Sequence, residues 1–322
     1  MRAIMVQRFG PPDVLEPVEL PTAVPAPGEL RIAVEVVSLT WMDTLIRSGH
    51  GPAAFAVEPP YVPGSSVGGT VEAIGAGVDG RWLGTRVVGR AGSGGYGGGY
   101  ADTAIADPEA VHPVPPGLDL RHAMAVMDDG STALALLEAT PVRPGERVLV
   151  APGVGGLGNL LVQLVVRAGA TAIAAVRGAE KAGTARSMGA VPVDYGSPDW
   201  PGDVRTLTGG RGLDVVFDGI GGAVGAAAAS LLVDGGRFSG YGMSSGAEAA
   251  VGEVAGRVRV ATMAQLPGFW ADGPRRVRKV LDETAAGRLV PVIGRTYPLG
   301  AAAEAHADIE GRRFIGKSLL LT

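Results

Sequence analysis

Two rhythms of apolar residues divide this chain. Over the first 122 positions the apolar residues come in short, β-branched runs, such as 30–37 and 70–74, cut by Pro and Gly. Runs bounded by turn residues predict strands, so this part reads as β-rich. From 123 to 262 the texture changes. Brief apolar strands at 147–151, 172–176, 191–193, 213–217 and 236–241 alternate with alanine-rich stretches that open helices near Gly156, Glu180 and Gly222. Such alternation predicts an α/β unit, a parallel sheet with helices on both faces. Residues 263–322 return to mixed character, with a helix near 274–286 and a closing strand at 318–321. The longest apolar run, 157–176, carries Asn159, Gln163 and Arg167 at four-residue steps. That is one polar stripe on a buried helix, ended by Gly169, and not a membrane span.

The junction of the first alternating strand with its helix carries the sharpest chemical signal. The strand at 147–151 breaks into Gly153-x-Gly155-x-x-Gly158, and the apolar helix follows at once. In a dinucleotide-binding turn the first glycine allows the tight turn and the second lets the backbone approach a pyrophosphate. The third lets helix and strand pack closely, and the anion rests on free N–H groups at the helix N-terminus. A chain with 52 glycines matches that spacing easily by chance. The strand–turn–helix setting is what gives it weight.

Composition narrows the classes. A length of 322 residues allows about two domains. Charged residues at 19% and hydrophobic ones at 46% describe a globular chain rather than a disordered one. A formal net charge of −4 without charge blocks gives no footprint for nucleic acid or an anionic membrane. The absence of cysteine removes disulfides, thiolate nucleophiles and cysteine zinc sites, and a cytoplasmic location is the expectation. The first residues lack an apolar core of signal-peptide length. The glycine-dense stretch 90–100 reads as a loop.

Several stretches together carry a resemblance that the glycine motif alone does not. They include Gly28-Glu-Leu-Arg-Ile-Ala-Val-Glu-Val, Asp43-Thr-Leu-Ile-Arg-Ser-Gly49, residues 60–75, Gly99-Tyr-Ala-Asp102, Gly155-Gly-Leu-Gly158, Gly212-Leu-Asp-Val-Val-Phe-Asp218 and Ile315-Gly-Lys317. Their order resembles the zinc-independent quinone oxidoreductase branch of the medium-chain dehydrogenase/reductase superfamily. The resemblance implies a GroES-like β-rich domain built from 1–122 and 263–322 around a Rossmann domain at 123–262, with the active site in the cleft between them. In the zinc alcohol dehydrogenases of that superfamily, Cys, His and Cys hold the catalytic zinc, with Glu beside the His. Those positions align with Thr40, Ser65 and Asp128, and Ser66 replaces the Glu. Two hydroxyls and one carboxylate suit zinc poorly, so the expected site is free of metal.

The cofactor expected is NADPH. NAD-specific Rossmann folds place an acidic residue about twenty positions past the first glycine. Here that position is Val176, followed by Arg177, and Arg177 and Lys181 are placed to neutralise a 2′-phosphate. Tyr195 falls where many NADPH-dependent relatives carry an aromatic near the adenosine. The cofactor set is then Thr132, Gly153, Val154, Gly155, Gly156, Leu157, Gly158, Arg177, Lys181, Tyr195, Gly219, Gly240, Tyr241, Gly242 and Lys317. Of these, Thr132, Gly219, Gly240, Tyr241, Gly242 and Lys317 rest on the resemblance alone.

The resemblance also implies a substrate side of Thr40, Trp41, Asp43, Tyr61, Ser65 and Asp128. Thr40 is expected to donate to a carbonyl, Trp41 to stack on a planar ring and Asp43 to order its loop. His50, His112, His122 and His306 fall at no catalytic position of the family and read as surface or loop residues. Hydride transfer to a quinone or similar activated carbonyl is the first reading. Its alternatives are reduction of an enone C=C bond and a non-catalytic NADPH-binding role. A homodimer joined near 236–265 is expected, because relatives commonly join the edges of their Rossmann sheets.

Overall fold

The strands Arg2–Val6 (β1) and Leu15–Glu19 (β2) form an antiparallel pair. In the computed structural model, which describes residues 1–92 and 97–322, β1 leads into a larger sheet built on Leu30–Ser38 (β3). The inward positions of β3 alternate as a half-buried strand requires, with Leu30, Ile32, Val34 and Val36 in the core. The helix Trp41–Arg47 (α1) follows directly. Then Ser66–Ile74 (β4) pairs antiparallel with β3, and Arg86–Arg90 (β5) pairs antiparallel with β4. Thr103–Ala106 (β6) adds to β3 and Val111–Pro113 (β7) to β5. Part of the glycine-dense stretch, residues 93–96, lies outside the described residues.

A 20-residue helix, Leu120–Ala139 (α2), leads into the second unit. There Arg147–Ala151 (β8), Thr171–Val176 (β9), Val191–Asp194 (β10), Leu213–Asp218 (β11), Leu232–Gly240 (β12) and Arg259–Ala261 (β13) form one parallel sheet. The order is β10-β9-β8-β11-β12-β13, so the sequence reverses direction between β8 and β11. Helices Gly156–Arg167 (α3), Ala179–Ser187 (α4), Trp200–Leu207 (α5) and Gly222–Ser230 (α6) are the crossovers. Burial on both faces explains why β8 and β11 read as nearly unbroken apolar runs. Asn159 is fully buried inside α3, and its amide donates to the carbonyls of Gly155 and Gly156.

After Gly273–Ala285 (α7), the chain returns to the first unit. Ile293–Pro298 (β14) pairs with Lys317–Leu321 (β15), and β15 pairs with β3. The helix Ala302–Glu310 (α8) packs Ala302, Ala305 and Ile309 into the same core as Ile4, Ile32 and Leu320. Both chain ends therefore build the β-rich unit, and an α/β, doubly wound sheet forms the other.

The two compact units are Met1–Asp128 with Val277–Thr322, and Asp129–Arg276. The change of texture along the sequence predicts limits at 122 and 262. The first differs because α2 runs without proline straight through the texture change. The second differs because the 3-10 segment Met263–Asp272 and the next residues stay tied to the parallel-sheet unit. Arg275 and Arg276 both pair with Glu138, at 2.8 and 2.7 Å.

Two histidines depart from the surface reading. His306 is fully buried on α8, and its Nε2 lies 2.8 Å from the Tyr100 hydroxyl. His112 is buried in β7. His306 sits among small alanines at the spacing of buried helix positions, which a count of polar residues does not reveal.

Candidate active site

The glycine turn lies at the carboxyl end of β8, beside the point where the strand order reverses. Open parallel sheets bind ligands at such a point. Gly155 caps α3 without any side-chain hydrogen bond to the first turn. A Cβ at Gly155 would find its nearest neighbour at 3.7 Å, the Pro152 ring, so the glycine there keeps space open. At Gly158 a Cβ would fall 1.9 Å from the Pro152 carbonyl oxygen, which is the close helix–turn approach expected. Gly153 departs from its expected role. Its φ is not positive, and a Cβ would strike Ala174 of β9 at 2.5 Å, so close strand packing fixes this glycine. Val154 is buried, while Gly156 and Leu157 are partly exposed in the first turn of α3. The turn thus offers backbone N–H groups and an unfilled approach, as a pyrophosphate needs.

Further along the same edge, Arg177 follows β9 and Tyr195 follows β10. The Arg177 guanidinium lies 4.7 Å from the centre of the Tyr195 ring, a cation–π contact. The buried Val176 stands where an NAD-specific fold needs a carboxylate. Asp194 is nearby, but its oxygens accept from the backbone N–H groups of Gly178 and Gly196 at 3.2 and 2.8 Å. It ties down the loop that carries Arg177. Lys181 lies in the first turn of α4.

The ends of β11 and β12 complete this side. Gly219 is forced to be glycine by the Tyr241 ring, which a Cβ would meet at 2.4 Å. The Tyr241 hydroxyl donates to the Ala151 carbonyl at 3.3 Å, so the ring crosses the strand ends beside the reversal. Gly240 is buried, and Gly242 lies against Gly219. Asp218 is buried and accepts from the N–H groups of Ile220 and Gly221. Burial raises its carboxyl above the ordinary range, against those two donors. Thr132 is half-buried on α2 within this unit.

In the β-rich unit, Thr40 is the N-cap of α1. Its hydroxyl donates to Asp43 Oδ2 at 2.7 Å and accepts from the Asp43 N–H at 3.3 Å, a capping box. The expected donation from Thr40 to a substrate carbonyl is therefore corrected, because its single hydroxyl proton is already committed. Asp43 is buried and also accepts from the Thr40 backbone N–H at 2.6 Å. Trp41 packs against the core of this unit rather than standing free. Tyr61 also packs on that core, and burial together with the Asp43 charge pushes its phenol up to about 12. Ser65 is half-buried, and its carbonyl accepts from Ala91 at 2.7 Å. Asp128 accepts from Ser66 Oγ at 2.5 Å and from Arg90 Nη2 at 2.9 Å. Its charge is thus neutralised, which the sequence left open. Lys317 opens β15 and is buried.

Residues 26–116 match the alcohol dehydrogenase GroES-like domain family, and residues 188–320 match the zinc-binding dehydrogenase family. A 2-haloacrylate reductase from Burkholderia is 32% identical over 330 residues, covering 99% of this chain and 98% of that protein. A quinone oxidoreductase from Pseudomonas aeruginosa is 30% identical over 331 residues, covering 99% of each. The chain belongs to the zinc-independent quinone oxidoreductase branch of the medium-chain dehydrogenase/reductase superfamily. Among solved structures, Escherichia coli quinone oxidoreductase complexed with NADPH superposes with a TM-score of 0.90 at 26% identity over 100% of both chains. A mycobacterial protein complexed with NADPH gives 0.88 at 34% identity, again over 100% of both chains.

The second family's name implies a zinc ion, and this quinone oxidoreductase-type chain lacks the donors for one. Thr40 spends its hydroxyl on Asp43, and both Asp128 oxygens are taken by Ser66 and Arg90. No imidazole or thiolate stands at the aligned positions. Arg90 is the residue of this cluster that the sequence reading missed. No motif marks it; only the pairing of β5 with β4 brings it to Ser66.

Proposed function

We propose that this chain is an NADPH-dependent reductase that transfers a hydride to a quinone or a similarly activated carbonyl compound. The observation that carries the reading is the open Gly155 turn beside the strand-order reversal, joined along the sheet edge to the Arg177–Tyr195 stack. A pyrophosphate fits the first, and a 2′-phosphorylated adenosine fits the second, where Val176 offers no carboxylate to a ribose hydroxyl. The NADPH complexes of the two similar structures support the same cofactor. Gly153–Gly158, Arg177, Lys181, Tyr195, Gly219 and Tyr241 would hold it, with Thr132, Gly240 and Gly242 as further contacts. When bound, the reduced nicotinamide supplies the hydride. The protein's share is orientation and exclusion of water.

A second reading is reduction of a C=C bond conjugated to a carbonyl or carboxyl group. The relative named 2-haloacrylate reductase supports it, since a haloacrylate is such a compound. We place the enzyme in the cytoplasm as a homodimer joined along the β13 edge. Among the described residues no helix is long and apolar enough to cross a membrane.

The test is NADPH oxidation by the purified protein with a small quinone, and then with a conjugated enone, using NADH as control. Turnover with NADPH far above NADH is expected, and Arg177→Ala should shrink that preference about tenfold or more, the weight of a charge-assisted hydrogen bond. Equal use of the two cofactors by the wild type would sink the cofactor assignment. Binding without turnover on either acceptor would sink the reductase.

A further inference from the structure

We infer that Arg90 forms an anion subsite for the carboxylate of a conjugated acid substrate. This inference deepens the second reading above and rests on it for the reaction. The topology gathers the relevant groups. β3 runs up to Ser38, two residues before Thr40, and pairs with β4 through Val37 and Val67. Ser66 at the start of β4 is paired with Arg90 at the end of β5. Ser65, Ser66 and Arg90 therefore lie at one end of the paired strands β4 and β5, and Thr40 follows the neighbouring end of β3. Asp128 is hydrogen-bonded to two members of that group.

The hydrogen bonding leaves donors open for an anion. Asp128 accepts one bond from Ser66 and one end-on bond from Arg90, so its two oxygens are engaged. Among the described residues Arg90 makes that one side-chain hydrogen bond. A guanidinium has five N–H donors in a rigid fork, so four remain. The Arg90 side chain is 55% exposed, against 21% for Asp128, so the free side of the fork faces solvent. Burial and then the Arg278 charge lower the His112 imidazole, while Asp128 acts the other way. Asp129, next on α2, projects about 100° further around the helix.

A planar carboxylate matches a single guanidinium fork bidentately. The Thr40 hydroxyl proton is already given to Asp43, and the Asp128 oxygens only accept, so neither can supply that contact. The ligand class is therefore a short 2-enoate, an acid whose C=C bond is conjugated to its carboxylate. Its reduction places one hydride on the β-carbon and one solvent proton on the α-carbon, oxidising NADPH and leaving the carboxylate charged. Arg90 would hold the carboxylate end of such an acid.

The experiment is calorimetric binding of 2-chloropropionate, the saturated acid, and of its methyl ester to the protein saturated with NADP+. The acid should bind about tenfold tighter than the ester or better, and Arg90→Met should erase that preference. Arg90→Lys, which keeps the charge and loses the fork, should restore part of it. Asp128→Asn removes the competing carboxylate and should increase the preference, which keeps the inference testable if Arg90→Met folds poorly. Equal binding of acid and ester by the wild type, no binding of either, or a preference that survives Arg90→Met would each overturn it. NADPH oxidation by the wild type with 2-chloroacrylate, the unsaturated acid, is measured on the same preparation. If that fails while the acid preference stands, the C=C reading falls and the anion subsite remains.

Discussion

At the scale of single residues, the three glycines of one motif do two different jobs. Gly155 leaves space, while Gly153 and Gly158 let backbone come close. Alanine at 158 would put a methyl group 1.9 Å from the Pro152 carbonyl oxygen, a backbone atom that cannot swing away. Overpacking of that kind costs about 1–3 kcal/mol, and the helix preference of alanine returns about 1 kcal/mol at most. Alanine at 155 meets only the Pro152 ring at 3.7 Å, and its extended backbone, φ −74° and ψ −179°, suits any residue. Gly158→Ala should therefore lower the urea midpoint clearly, while Gly155→Ala should change stability by less than about 1 kcal/mol. NADPH affinity should fall about tenfold or more in Gly155→Ala, whose methyl group occupies the approach of the pyrophosphate. A Gly155→Ala protein that binds NADPH like the wild type would refute the assignment of that space. The motif itself was legible in the sequence. The reason for Gly153 was not, because it lies in Ala174 of another strand.

At the scale of elements, the alternating strands of the second unit were legible because each is an apolar run set off by turn residues. β8 is found at 147–151 as expected, and β9, β10 and β11 differ from their expected bounds by a residue, whereas β12, expected at 236–241, already begins at Leu232. The short β13 was not legible, since Arg259, Val260 and Ala261 make no run. It is nevertheless the outer strand of the six-stranded sheet, paired with β12 on one side. Sheet edges invite pairing with a second chain. Two copies related by a two-fold axis would join at β13 into one continuous sheet, and the exposed Trp270 lies close by in sequence. Light scattering should give twice the chain mass of 32.5 kDa. Val260→Pro should yield the single mass, because proline removes a ladder donor. A wild-type monomer at micromolar concentration, or a Val260→Pro dimer, would contradict the proposal.

At the scale of the whole molecule, what the sequence hid are contacts between residues far apart in the chain. Arg90 meets Asp128 across 38 positions, and Tyr100 meets His306 across 206. Local pattern carries no trace of either, whereas the return of the C-terminal segment to the first unit was legible through its resemblance to a known family. The Tyr100–His306 pair has a consequence for stability. Burial, helped by the Arg47 charge, pulls the His306 imidazole down to about 3 from its ordinary 6.5. Above about pH 6.5 the imidazole is neutral in the folded and the unfolded chain and contributes no pH dependence. Between about 6.5 and 3 the unfolded chain takes up a proton that the folded chain refuses. Stability then falls as pH falls, by at most about 1.4 kcal/mol per pH unit from this group. His112, also lowered, adds in the same direction. Asp308 is held below its ordinary range, first by the Tyr297 hydroxyl, so its stabilisation is lost only in more acid solution. His306→Gln keeps an amide beside the Tyr100 hydroxyl and removes the titration. Urea midpoints from pH 7 to 4.5 should therefore fall less steeply for His306→Gln than for the wild type, with His112 and the carboxylates common to both. Parallel slopes would mean that the buried imidazole is protonated with its partner intact, and that the closure of the chain ends is indifferent to its charge.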